Sequence, residues 1–360
     1  MCKPASLSPG YDFIYYWVLG RANSEHINPY AWDSALPLLN EACWPSNEGY
    51  INVTPPWTIW LIKPFSLLEF EYGRITWLIF LALLLIVTIF LLTKKLDIGA
   101  NLSKTTLLYS LLSFSPLISS SYSGNHNIVV LLAVVIFIYL LKNEEVFKAG
   151  AVLSLCLLKP QLFIVFFSTL PIILWKGTLR LIAGLTCGLL LQFCISWSIF
   201  SDSYQFYFKS PALLKSALNF SGASLSQVIY EATDTSWQIP ILLTGIMLSC
   251  YLVFHSKNKQ ATLVEIILPI SLMSSPYTWG HSYIILLPTF LIFSEQLFDL
   301  NRVLAKWVLL ILNGLILIPY IFIHVDYTAV LLPIVLVCFF LISSSNPLLS
   351  CHNAKISEKL

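Results

Sequence analysis

A lysine stands inside a long apolar stretch, and its position sets the chemistry to look for. Lys159 follows the ten residues Ala149–Leu158 and is followed by Pro160. Ten residues of helix extend about 15 Å, half of a hydrocarbon core of ~30 Å. A charged side chain at that depth costs roughly 2.5–3.5 kcal/mol on insertion scales, which makes an intramembrane lysine a functional candidate by default. Snorkelling to the inner interface is the competing reading, and ten intervening residues put that interface beyond its reach. A buried ammonium calls for an anion. Four polar stretches elsewhere can work beside it. The first is Tyr11-Asp12-Phe13-Ile14-Tyr15-Tyr16, with Asn28-Pro29-Tyr30 shortly after. The others are Thr54-Pro55-Pro56, Gly124-Asn125-His126-Asn127 and Ser275-Pro276-Tyr277-Thr278-Trp279-Gly280-His281. A carboxylate such as Asp12 can serve as a base on an incoming hydroxyl, while the ammonium holds an anionic headgroup.

The elements that position these residues follow from composition. Of the 360 residues 57% are hydrophobic and 11% charged, against roughly 25% charged in an ordinary soluble domain. Mean hydropathy is +0.79. Such a chain cannot cover its surface with polar groups, so its solvent is lipid. A soluble enzyme, a nucleic-acid binder and a disordered protein are excluded, and a net charge of +2 gives no sign of a polyanionic partner. Cys156, Cys187, Cys194, Cys250 and Cys338 lie in apolar runs and behave as small hydrophobes. Only Cys2 and Cys43 are placed to pair in an oxidising compartment.

Ten apolar segments can be read, at about 75–93, 105–122, 128–141, 149–175, 180–200, 238–254, 261–274, 282–298, 306–324 and 328–345. They must be helical, because a helix satisfies every backbone polar group within one segment. With residues 1–74 outside, the inner connections total 52 residues and hold thirteen of the 20 Lys and Arg, whereas 118 outer residues hold six. That bias sets the orientation. Both flanks of 149–175 are basic, with Lys142 and Lys148 before it and Lys176 and Arg180 after it. The consistent solution is a broken, re-entrant pair of half-helices with Lys159-Pro160 at the tip. The expected organisation is an external loop with juxtamembrane helices over 1–74, a transmembrane bundle over 75–345, an external loop at 201–237 and a cytoplasmic tail at 346–360. Trp57–Phe70, interrupted by Lys63-Pro64, reads as an interfacial helix with Trp57 and Trp60 at headgroup level.

Each polar stretch also has a plainer reading. Aromatics near an interface more often anchor than bind. Gly-Asn-His-Asn can be a tight turn, Pro276 and Gly280 can simply end a helix, and Asp12 is one of seven acidic residues in the first 74.

Taken in order, the pieces resemble glycosyltransferase family 87, polytopic mannosyl- and arabinofuranosyltransferases of the type C glycosyltransferase fold. Asp12-Phe13 with Tyr15-Tyr16 is similar to the family's Asp-Phe-x-x-Tyr-Tyr, and Asn28-Pro29-Tyr30 to its x-Pro-Tyr. Thr54-Pro55-Pro56 with Lys63-Pro64 resembles its Tyr-Pro-Pro helix. Gly124-Asn125-His126-Asn127 resembles Gly-Gln-x-Asn, and Leu158-Lys159-Pro160-Gln161 resembles Leu-Lys-Pro-x. Ser275–His281 resembles Ser-Pro-x-Ser-Trp-x-His. The likeness spans roughly residues 11–290. Asn125 stands where the family has Gln, and Thr54 where it has an aromatic. The family places a membrane helix ahead of Asp-Phe, whereas eleven residues precede Asp12 and Met1–Gly10 has no signal-peptide pattern. The expectation is a start site assigned too late or a truncated copy.

The resemblance implies an all-α polytopic membrane protein, a type C glycosyltransferase-like helical bundle with external juxtamembrane helices. It implies an inverting transfer of a hexose or pentose, mannose-like or arabinofuranose-like, from a polyprenyl-phosphate-sugar donor. The acceptor is a lipid-linked or cell-envelope glycan or a glycolipid at the outer face of the inner or plasma membrane. Asp12 is the expected general base. Lys159 and His281 are expected at the donor phosphate, and Tyr15, Tyr16, Asn127 and Trp279 at sugar or acceptor. No cofactor is expected. A lipid phosphate leaves without metal help, and no Asp-x-Asp, His-x-x-x-His or Cys-x-x-Cys is present to hold a metal. A lipid-linked sugar flippase is the alternative, as is an inactive truncated relative. The sites face the periplasm or the cell exterior, with the C-terminus in the cytoplasm.

Overall fold

The computed structural model describes residues 9–44, 52–175, 177–210, 223–256, 258–323 and 327–345, and every regular element among them is helical. Lys176, Lys215, Asn219-Phe220-Ser221, Lys257 and the tail 346–360 lie outside the described residues, as does Cys2. Cys43 is disulfide-bonded.

The chain is an all-α polytopic membrane protein. Among the described residues four helices are long and apolar enough to cross a bilayer: Phe70–Lys94, Thr178–Phe200, Gln238–His255 and Gly280–Leu300. The first three expose large apolar side chains such as Ile79, Leu83, Ile86, Leu191, Ile239 and Met247, as a lipid-facing surface does. The fourth is almost wholly enclosed by its neighbours. Shorter apolar helices fill the remainder.

In chain order, α1 (Phe13–Glu25), α2 (Trp32–Glu41) and α3 (Ile59–Ser66) precede the long α4 (Phe70–Lys94). The apolar segment 105–122 is not one span. It divides into α5 (Lys104–Leu112) and α6 (Ser115–Ser123), because Ser113 and Phe114 leave helical geometry and Pro116 opens the second helix. Gly124 then ends α6 in the left-handed conformation at φ +70°, where a Cβ would stand 2.8 Å from the Gly10 Cα. Glycine is required there on both counts. Next come α7 (Asn127–Lys142), α8 (Val146–Leu153) and the 3-10 turn Ser154–Leu158. After Lys159-Pro160 the chain continues as α9 (Ile164–Ile173) and α10 (Thr178–Phe200). Later elements include α11 (Asp202–Lys209), α12 (Leu225–Thr233) and α13 (Gln238–His255). A π-turn at Leu263–Ile267 leads into α14 (Leu268–Met273), and a 3-10 turn Gly280–Leu286 into α15 (Leu287–Leu300).

The segment 146–177 runs out and back. A Cβ on Gly177 would stand 3.3 Å from the Val146 side chain, so the two ends of the hairpin are adjacent. Lys159 (φ −137°, ψ 70°) breaks the helix at the far end, and Pro160 can supply no amide to continue it. α10 then rises parallel to α8. Gly184 meets the Phe147 carbonyl, Gly188 meets that of Ala151, and Gln192 Nε2 donates to Ser154 Oγ at 2.6 Å. Small residues let these backbones approach as close as membrane helices do.

The bundle therefore has two unlike ends. One holds the hairpin base, where Lys259 Nζ donates to the Ile172 carbonyl at 3.2 Å, and the Glu295 carboxylate, which takes the Gly99 N–H at 3.2 Å and pairs with Asn101. The other holds the hairpin tip, the start of α7 and α1. Trp77 Nε1 donates to the Gly124 carbonyl at 2.7 Å. That places the α6–α7 turn seven residues, about 10 Å, along α4 from Phe70, so this end is recessed beneath the top of α4. Helices α1 and α3 close over it, with Lys63 Nζ on the Gly20 carbonyl at 2.9 Å and Trp17 Nε1 on that of Leu68 at 3.0 Å.

The close α8–α10 contact carries a prediction. A Cβ at Gly184 would lie 1.9 Å from the Phe147 carbonyl oxygen, and backbone cannot move aside cheaply. Gly184→Ala should lower the thermal midpoint in detergent, at a cost of about 1–3 kcal/mol. Gly177→Ala, whose Cβ would meet nothing closer than the Val146 side chain at 3.3 Å, should change it far less.

Candidate functional site

The site is built from four separate stretches that meet at the recessed end. Asp12 is the N-cap of α1, yet its side chain caps no amide of that helix. Its Oδ2 instead accepts from Asn125 Nδ2 at 2.8 Å. The backbone fixes this placement, because Gly10 N–H bonds the Tyr122 carbonyl at 2.6 Å and Asp12 N–H that of Ser123 at 3.0 Å. His281 Nε2 lies 3.9 Å from the same Asp12 Oδ2. Trp279 lies parallel to the His281 ring, with 6.3 Å between centroids.

The turn between α6 and α7 contributes three consecutive polar side chains. Asn125 Oδ1 accepts the Asn127 backbone N–H at 3.2 Å, which fixes the amide so that its NH2 group points at Asp12. His126 Nδ1 lies 2.6 Å from the Tyr16 hydroxyl. Asn127 Nδ2 reaches Ser282 Oγ at 3.4 Å, and its Oδ1 is buried without a hydrogen bond.

Lys159 stands at the hairpin tip, only 9% exposed. Its charge acts on Asp12, His126 and His281 alike. Among the described residues its ammonium makes no hydrogen bond and no ion pair within 4 Å. Beside it, Trp57 Nε1 donates to the Leu157 carbonyl at 2.8 Å. The expected interfacial anchor thus spends its polar atom on the hairpin. Tyr207 of α11 packs edge-on against both Trp57 and Tyr30, which draws part of the connection 201–237 against the site.

Burial, and then the Asp12 charge, push the Tyr16 phenol well above its ordinary value, so it remains a hydroxyl. Burial, and then the Lys159 charge, hold the His126 ring well below the usual imidazole range, so it is neutral.

Of the residues expected from sequence, Asp12, Tyr16, Asn127, Lys159, His281 and Trp279 share this neighbourhood. Tyr15 faces another way, its ring edge-on to Trp44 and its carbonyl accepting from Asn52 Nδ2 at 2.9 Å. Asn52 also takes the Thr54 N–H at 2.9 Å, which commits the side chain of the Asn52-Val53-Thr54 tripeptide internally. Two residues were not singled out by sequence reasoning. Asn125 was noted only as a departure from Gln, and His126 occupies a variable position of its motif. Only their position in the turn signals them. No group of three or more His, Cys, Asp or Glu side chains that could hold a metal occurs among the described residues.

A carboxylate and an ammonium without an ion pair are buried together at one end of this helical membrane bundle. Residues 53–276 match the model of glycosyltransferase family 87, and the chain belongs to that family of membrane glycosyltransferases. Asp12 and His281 lie outside the matched residues. Neither a curated protein nor a solved structure matches the chain.

Asn125→Leu removes a charge-assisted hydrogen bond to the Asp12 carboxylate. It should lower the sugar-transfer rate about tenfold or more, with little change in thermal midpoint.

Proposed function

We propose that the protein transfers a hexose or pentose, mannose-like or arabinofuranose-like, from a polyprenyl-phosphate-sugar to a lipid-linked or cell-envelope glycan, with inversion. The observation that carries this reading is the Lys159 ammonium, buried and without a hydrogen-bond partner, in the same cluster as Asp12. An ammonium so placed is costly unless an anion completes it. The phosphate of a lipid-linked donor does so, with its prenyl chain lying against the apolar helices.

The reaction follows from the two charges. Asp12 takes the proton of the acceptor hydroxyl. The acceptor oxygen forms a bond to the anomeric carbon as the bond from that carbon to the phosphate oxygen breaks on the opposite face. The electron pair leaves with the phosphate, whose extra charge Lys159 and His281 stabilise. Asn125 orients the carboxylate. In this reading Tyr16, Asn127 and Trp279 contact the sugar or headgroup, and Tyr15, which faces Trp44, is left to the acceptor. No cofactor or metal enters this scheme.

Two features support a site facing the periplasm or the cell exterior, with the C-terminus in the cytoplasm. Lys and Arg concentrate in the connections at the opposite end. The Cys43 disulfide suits an oxidising compartment.

Asp12→Asn should abolish transfer from a polyprenyl-phosphate-sugar, a loss of about 10²–10⁴-fold, while the protein remains folded. Unchanged turnover rejects Asp12 as the base. Movement of labelled lipid-linked sugar across vesicles with no glycosidic bond formed would identify a transporter instead.

A further inference from the structure

His126 has a defined tautomer. Its backbone N–H donates to the Tyr16 hydroxyl oxygen at 3.3 Å, and its Nδ1 lies 2.6 Å from that same oxygen. Suppose Nδ1 carried the ring proton. The phenol oxygen would then accept twice from one residue, and the phenol proton would have no acceptor. With the phenol protonated, the consistent network has Tyr16 donating to Nδ1, which puts the imidazole proton on Nε2. That Nε2 is fully buried and has no hydrogen-bond partner. The Leu158 backbone at the hairpin tip stands near enough to the ring to favour its protonated form, but no acceptor meets hydrogen-bond geometry at Nε2. A buried donor left unpaired is costly, and buried polar groups without partners call for an explanation.

We propose that His126 is a further donor-phosphate ligand of this site, presenting Nε2–H to an anionic oxygen beside Lys159, with Tyr16 as the positioning residue that sets its tautomer and tilt. This rests on the lipid-phosphate donor proposed above and names a group that takes part in holding it. The chemistry favours an oxyanion over a sugar hydroxyl. A neutral N–H adds a directed hydrogen bond to the point charge of Lys159 without adding charge repulsion to it. It also gives Tyr16 a role other than sugar contact. The phenol lies behind the imidazole, edge-on to it at 5.0 Å between centroids and edge-on to Trp77 at 5.7 Å. Trp77 is itself anchored on the Gly124 carbonyl, so the imidazole is braced through to α4.

The full chain in detergent or nanodiscs provides the test, with polyprenyl phosphate and the matching uncharged polyprenol as the two probes. Wild type should bind the phosphate more tightly than the alcohol. His126→Ala should weaken phosphate binding about tenfold and leave the alcohol unchanged. His126→Gln, whose side-chain amide retains a donor at similar reach, should recover much of the loss. Tyr16→Phe should give a smaller loss, again for the phosphate alone. Thermal midpoints establish that each variant is folded. Equal phosphate affinity in wild type and His126→Ala overturns the assignment, as does equal loss for both lipids or no recovery in a folded His126→Gln. Failure of wild type itself to prefer the phosphate overturns the donor reading, and with it this inference, before any variant is made.

Discussion

An ammonium that is nearly buried and has no counter-ion within 4 Å is the constraint on which the rest of the structure depends. Lys159 is nearly buried at the tip of the hairpin on which it rides. Asp12 is close enough to be influenced by its charge but forms no ion pair with it. That separation is what a two-substrate site requires. A closed Lys–Asp pair would neutralise both groups and leave neither for chemistry. Instead the carboxylate is oriented by Asn125, and the ammonium makes no ion pair among the described residues, which suits the proposed lipid-phosphate donor.

The scaffold serves that separation. The hairpin is short because Lys159-Pro160 halts it, and it is rigid because α8 lies on α10 with glycines at the contact. Its tip is tied down by Trp57 on the Leu157 carbonyl. The opposing wall is tied by the Gly10–Tyr122 and Asp12–Ser123 backbone bonds and by Trp77 on Gly124. Irregular backbone at membrane depth is tolerated only where protein or a wet site surrounds it, and the polar groups of the site ride on such backbone at the hairpin tip and the α6–α7 turn.

Much of this was legible in the sequence. All ten apolar segments correspond to helical stretches, because burial in lipid leaves a strong compositional trace. The halt at Lys159-Pro160 was visible because a charge and a proline in an apolar run both violate the local pattern. The break at Ser113–Phe114 was not, since both residues are compatible with helix and only the packing around Pro116 bends the chain there. Roles within the turn were also hidden. Whether Asn125 points at Asp12, or His126 at Tyr16, depends on which face of the turn meets α1, across more than a hundred residues of chain. For the same reason Trp57 read as an interfacial anchor, whereas its indole N–H is used inside the protein. Tyr15 and Tyr16 are neighbours in sequence but a helix sends them in different directions, one to Trp44 and one to His126.

The most direct measurement concerns the side from which position 159 can be reached. Lys159→Cys, in right-side-out and inverted vesicles, would be treated with a membrane-impermeant thiol reagent and the adduct at that position read by mass spectrometry. Modification from the outer side alone, slowed by added polyprenyl phosphate, is the expected result. Modification from the inner side, or labelling indifferent to the lipid phosphate, would contradict an outward-facing anion site at the hairpin tip.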